Sequence, residues 1–131
     1  MNQYEEIIYK GAAKQGLDLD DHQLSMLMQV IDLLNKWNKK HNLTRITDTE
    51  QQCIHHILDA LSAHTFFLPY MRILEIGTGA GFPGIPLAII YPDKQFHLVD
   101  SNGKKIAYLK HLVKQLELKN VSLYHLSLIH I

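Results

Sequence analysis

The stretch Glu75-Ile76-Gly77-Thr78-Gly79-Ala80-Gly81-Phe82-Pro83-Gly84 is the part of the sequence most able to do chemistry. Glycines let a backbone turn sharply and let a ligand come close to it, so such a loop between a strand and a helix is a ligand seat. Asp100 ends the next apolar run, which puts its carboxylate at the same edge of a sheet, where it can accept hydrogen bonds from ribose hydroxyls. Two nucleoside ligands fit. Gly79-Ala80-Gly81-Phe82-Pro83-Gly84 matches the dinucleotide pattern G-x-G-x-x-G, with Asp100 about twenty residues on. Glu75-x-Gly77-x-Gly79-x-Gly81 instead begins inside the strand, as a methyltransferase first motif does, and favours S-adenosylmethionine over NAD. A nucleoside triphosphate is not indicated, because no G-x-x-x-x-G-K-S/T offers a lysine to its phosphates. A tight turn without a ligand is the plain structural alternative.

These residues need a sheet to hold them. Met71 to Ile76 reads as a strand that stops at the glycines, followed by a helix from about Pro83 to Tyr91. Gln95 to Asp100 is a second strand, Gly103 to about Leu116 a second helix, and Asn120 to Tyr124 a third strand. The alternation predicts an α/β fold with a parallel sheet and right-handed crossovers, a partial Rossmann-like domain of about three strands. The strands should lie in the order 3-2-1, leaving strand 71–76 at an unpaired edge.

Ahead of the sheet the apolar spacing is helical. Tyr4 to about Gln15 and Asp20 to His41 read as two helices, the second with a stripe of Leu24, Leu27, Met28, Ile31, Leu34 and Trp37. Gly16 stops the first, and the acidic residues Asp18, Asp20 and Asp21 suit the start of the second. After a polar turn over Asn42 to Thr49, a third stripe of Ile54, Ile57, Leu58 and Leu61 runs toward Phe66 and ends before Pro69. The expected organisation is a helical cap over 1–69, the first part of the Rossmann-like domain over 70–125, and a tail over 126–131.

Thirteen Lys plus Arg balance thirteen Asp plus Glu, so no global field draws the chain to a polyanion and any RNA contact must be local. Lys104, Lys105, Lys110 and Lys114 are candidates for a phosphate-facing patch, or simply a solvated helix face. No apolar run approaches the roughly 20 residues of a membrane span, and the N-terminus lacks a signal-peptide profile. With one cysteine, Cys53, and no internal disulfide, a cytoplasmic protein is expected. Cys53 and His56 could face one metal at i and i+3, but two ligands rarely suffice, so no metal is expected. Nothing in the sequence sets an oligomeric state.

Three stretches go further. His41-Asn42-Leu43-Thr44, His56-Ile57-Leu58-Asp59-Ala60-Leu61 and Gly77-Thr78-Gly79-Ala80-Gly81-Phe82-Pro83-Gly84-Ile85-Pro86-Leu87-Ala88, with Leu98-Val99-Asp100-Ser101 and Lys104-Lys105 after them, resemble the RsmG (also called GidB) family of bacterial 16S rRNA methyltransferases in order and spacing. Ala60 stands where that family commonly has serine, and Lys105 where it often has arginine. The resemblance implies a class I methyltransferase fold that uses S-adenosylmethionine to methylate a guanine-N7 in the decoding-region loop of the small ribosomal subunit. It implies that Gly77 and Phe82 touch the cofactor, that Gly79 and Gly81 shape the loop, and that Asp100 holds the ribose; Thr78, between the glycines, is a further candidate to bind the cofactor. Glu75 is a candidate to face the positive sulfonium. No catalytic acid or base is nominated, because guanine-N7 already exposes a lone pair and positioning suffices.

The resemblance also implies further strands and helices, so the chain reads as a C-terminally truncated fragment unable to complete the reaction alone. Leu126-Ser127-Leu128-Ile129-His130-Ile131 does not fit the family and equals the translated end of a common sequencing adapter, which marks it as a non-native tail. The competing readings are an NAD-dependent oxidoreductase fragment and a non-enzymatic RNA-binding remnant.

Overall fold

The computed structural model describes residues 1–126; the expectation of a non-native tail falls, apart from Leu126, outside them. Helix α1 spans Gln3–Lys14 and α2 spans Asp21–His41. Both start in capping boxes. Asp20 accepts from the Gln23 amide at 2.7 Å while the Gln23 side chain accepts from the Asp20 amide at 2.9 Å, which satisfies two amides that a helix start leaves free. Gly16, at φ +84°, turns the chain out of α1 so that the Leu17 amide donates back to the Ala12 carbonyl at 2.9 Å. The α2 stripe faces inward as its spacing requires: Leu24, Leu27, Ile31 and Leu34 are buried, with Met28 and Trp37 half-buried at its margin.

The third helical stretch departs from the expected regular helix. Thr49–Gln52 (α3) is α-helical, Cys53–Leu58 widens to a π-helix, and Asp59–Leu61 (α4) returns to α before a short α5 at His64–Phe67. π-Helical turns are rare and concentrate at functional sites. This one carries His55 and His56, and its wide turn coincides with the stretch where His56 meets both Thr44 and Phe82.

Strands β1 (Arg72–Ile76), β2 (Gln95–Asp100) and β3 (Val121–His125) alternate with α6 (Gly84–Ile90) and α7 (Gly103–Gln115). All pairs are parallel, with β2 between the other two; Ile76 pairs with Val99, and Asp100 with His125. This is the order the sequence predicts. Ile73, Phe96 and Leu98 point into one core with α6, α7 and the α2 stripe. The opposite sheet face, lined by Leu74, Ile76, His97, Val99, Tyr124 and Leu126, is uncovered by any described element and forms an apolar hollow of about 350 Å³. Leu74 is 61% exposed and Ile76 49%.

Two polar residues join the layers. Lys94 is buried, and its Nζ donates to the carbonyls of Leu68 at 3.0 Å and Tyr70 at 2.8 Å, fastening the end of the cap to the turn before β2. Buried Asn120 donates from Nδ2 to the carbonyls of Ala88, Tyr91 and Lys94 at 3.0–3.1 Å, which satisfies three carbonyls that burial would otherwise strand.

Candidate functional site

The glycine loop hangs from the sheet by backbone bonds: the amides of Gly77 and Thr78 both donate to the Val99 carbonyl, at 2.8 and 3.1 Å. Gly77 and Gly79 are left-handed, at φ +72° and +61°, and nothing lies within 4 Å of where a Cβ would stand on either. They leave backbone open to an incoming group. Gly81 is different. It too is left-handed, at φ +91°, but a Cβ there would lie 2.6 Å from Ile85 and 2.8 Å from Leu109, so its lack of a side chain serves helix packing.

Asp100 is 8% exposed, and each of its oxygens is engaged: Oδ2 accepts from the Gly79 amide and Oδ1 from the Asn102 amide, both at 2.8 Å. The carboxylate thus braces the loop against the start of α7. A carboxylate has about four lone-pair sites, so each oxygen keeps accepting capacity toward a hydroxyl. Sequence reasoning put Asp100 at the right edge but missed this tie to Gly79.

Glu75 turns under the loop. Its carboxylate accepts from the buried Thr78 hydroxyl and lies against the backbone of Gly84 at the start of α6. Burial pushes the Glu75 carboxyl above its ordinary value, an effect that Thr78 and Gly84 only partly offset. The loop is therefore stapled from below by Glu75 and from the side by Asp100. Thr78, by the same contact, is part of the staple.

Phe82 points toward the cap, where its ring stacks on His56 with centroids 4.7 Å apart and planes 7° apart. The His56 Nε2 and the Thr44 Oγ1 are hydrogen-bonded at 2.8 Å, and the Thr44 amide donates to the Asn38 Oδ1 at 2.8 Å. A continuous path runs from the end of α2 through Thr44 and His56 to the glycine loop. In the sequence Thr44 belongs to a polar turn and to the family-like stretch 41–44, and its spacing from His56 gives no sign of contact. Burial, more than the neighbouring His55, depresses the His56 pKa, so the ring is neutral at neutral pH.

Other candidates stand apart. Cys53 is buried, and burial pushes its thiol up to about 11, far from a reactive thiolate. Among the described residues no group of three His, Cys, Asp or Glu could hold a metal ion, and no helix is long and apolar enough to cross a membrane. Lys104, Lys110 and Lys114 are exposed on α7 and Lys105 is half-buried; among the described residues the only ion pair joins Lys10 and Glu6, so none of the four is neutralised by a carboxylate.

The family model described as rRNA small subunit methyltransferase G matches residues 23–128. The chain belongs to this family. It is 46% identical over 117 residues to the ribosomal RNA small subunit methyltransferase G of Dichelobacter nodosus, covering 89% of the chain and 56% of that protein. The protein of the same name from Psychromonas ingrahamii is 42% identical over 117 residues, again 89% of the chain and 56% of the relative. The one from Salmonella paratyphi B is 42% identical over 110 residues, 84% of the chain and 53% of the relative. The chain thus spans about half the length of the curated relatives it matches. The match takes in the glycine loop, Asp100 and the Thr44–His56–Phe82 path, so the family assignment and the geometry concern the same residues.

Proposed function

We propose that this chain carries the cofactor-binding half of a methyltransferase that transfers a methyl group from S-adenosylmethionine to a guanine-N7 of 16S rRNA in the small ribosomal subunit, in the cytoplasm. The observation that carries the reading is the open backbone at Gly77 and Gly79, beside a carboxylate already bound to Gly79. A Cβ at either glycine would occupy the space a ligand needs, which fits a nucleoside cofactor seated against the loop.

S-adenosylmethionine supplies an electrophilic methyl group when bound. The chain's own residues would bind and orient. Gly77, Thr78 and Gly79 offer backbone to the cofactor, Asp100 accepts from the ribose with the lone pairs its two amide partners leave free, and Gly81 keeps α6 close under the loop. Phe82, held by His56, closes the side of the site toward the cap. Glu75 acts here as the brace of the loop, and the carboxylate's contribution to the site is a negative charge beneath it, which tolerates a positive ligand better than an apolar floor does. Guanine-N7 is nucleophilic without deprotonation, so the proposal assigns no acid or base and rests on positioning. In this reading 1–69 is a cap and 70–125 the first part of the cofactor domain.

The test is calorimetric titration of the purified, folded chain with S-adenosylmethionine and, separately, with NAD. Saturable binding of S-adenosylmethionine alone, abolished in Gly77→Asp, is expected. Binding of NAD alone would overturn the reading in favour of an oxidoreductase. Salt-sensitive RNA binding with no response to either cofactor would mark an RNA-binding remnant instead.

A further inference from the structure

Between the cap and the glycine loop lies a crevice of about 230 Å³, walled by His55, His56, Asp59, Ala63, Phe82 and Pro83. We infer that this crevice is the seat of a single guanine base, gripped at its Watson–Crick edge by Asp59. The inference rests on the methyltransferase reading above and names the part of the site that receives the acceptor.

Size, shape and charge all bear on it. Pockets for drug-sized ligands begin at about 300 Å³, so this crevice suits one ring system and not a whole nucleotide. Phe82 and Pro83 line it on the loop side and His56 and Ala63 on the cap side, and because the Phe82 and His56 rings stack on each other at 4.7 Å, a base lies beside this pair and not between its rings. Enzymes that modify a base commonly take it out of its stack and hold it against aromatic or apolar side chains, reading its Watson–Crick edge by hydrogen bonds. The neutral His56 ring adds no cation to the wall.

Two exposed polar side chains that line the crevice have no hydrogen-bond partner among the described residues, His55 and Asp59, and the carboxylate of the two is Asp59. Its side chain is exposed, and among the described residues it has neither an ion-pair nor a hydrogen-bond partner; its backbone is engaged, the carbonyl by the Ser62 hydroxyl and the amide by carbonyls of the preceding turn. A carboxylate repels RNA phosphates, so an unpaired one beside the cofactor loop is an obstacle to RNA unless it meets donors. Guanine presents two adjacent donors, N1–H and the N2 amino group, that a carboxylate accepts side by side. Adenine offers no such pair. The N7 atom lies on the opposite edge of the purine, so a base held at N1 and N2 keeps N7 turned away from Asp59 and free to react. That combination of a free donor-reading carboxylate, an apolar lining and adjacency to the loop is what singles out guanine.

The experiment is a nuclear magnetic resonance titration of the isotope-labelled chain with guanosine 5′-monophosphate and, in parallel, adenosine 5′-monophosphate, each with and without S-adenosylhomocysteine. Amides of residues 55–63 and 82 should respond to the guanine nucleotide at roughly tenfold lower concentration than to the adenine nucleotide, the size of discrimination a bidentate base contact gives. Asp59→Asn should erase that preference; Asp59→Glu, which keeps the carboxylate, should retain part of it. Equal response to both nucleotides, no response of these amides, or loss of the guanine response on adding S-adenosylhomocysteine would each overturn the assignment. The amides of residues 77–81 report the thioether separately: if they respond while the crevice ignores guanine, the base seat falls and the cofactor reading stands; if they are silent, it is the cofactor reading that fails.

Discussion

His56 lies flat against Phe82, a cap residue on a loop residue 26 positions later, with ring planes 7° apart and centroids 4.7 Å apart. The stack is the direct aromatic link between the helical cap and the glycine loop, and Thr44 fixes its far side. Aromatic pairs contribute about 0.5–1.5 kcal/mol beyond the area they bury. A double-mutant cycle of His56→Ala and Phe82→Ala, read by urea unfolding, should therefore show a coupling of that size. Additive losses would mean that the two rings touch without supporting each other.

Gly77 and Gly81 look alike in the sequence but should fail differently. Gly81→Ala meets Ile85 and Leu109, both fully buried and unable to yield, and forces a strained left-handed alanine. The expected loss is roughly 2–4 kcal/mol of stability. Gly77→Ala meets only the backbone strain, about 1–2 kcal/mol, and its chief effect should be weakened S-adenosylmethionine binding. Thermal unfolding and calorimetry on both variants check this: equal destabilisation of the two would refute the division of labour.

Glu75 gives a pH-dependent prediction whose sign follows from its burial. Its folded carboxyl titrates above the ordinary 4.5, so the folded state holds the proton more tightly than the unfolded chain does. The stability this contributes is present below the ordinary value and is lost as pH rises through the raised one. Glu75→Gln lacks the titration. The stability of Glu75→Gln minus that of the natural chain should therefore increase between about pH 4 and pH 7, whatever its offset, because the natural chain alone loses this term. Chemical denaturation across that range is the measurement, and a difference that stays flat or declines would show that Thr78 and Gly84 fully compensate the burial.

Much of the fold could be read from the chain itself. Periodicity located α1, α2, α7 and β2 to within a residue or so, because strong apolar patterns bounded by Gly16, Asp20 and Gly103 leave few alternatives. The parallel order with β1 at the edge followed from alternating strands and helices under the right-handed crossover rule. The π-helical turn at Cys53–Leu58 did not follow, since an apolar stripe at Ile54, Ile57, Leu58 and Leu61 is satisfied by ordinary helical spacing.

The site divides in the same way. The amino-acid sequence by itself determined that Gly77, Gly79, Gly81 and Asp100 meet at one sheet edge, because strand ends and glycine spacing are local features. Only the tertiary structure decided what each does there. It turned Glu75 beneath the loop, gave Gly81 to helix packing, set Asp100 on the Gly79 amide, and brought Thr44 and His56 to Phe82. These are contacts between residues far apart in the chain or on faces that spacing does not orient, and their geometry is fixed by packing rather than by local pattern.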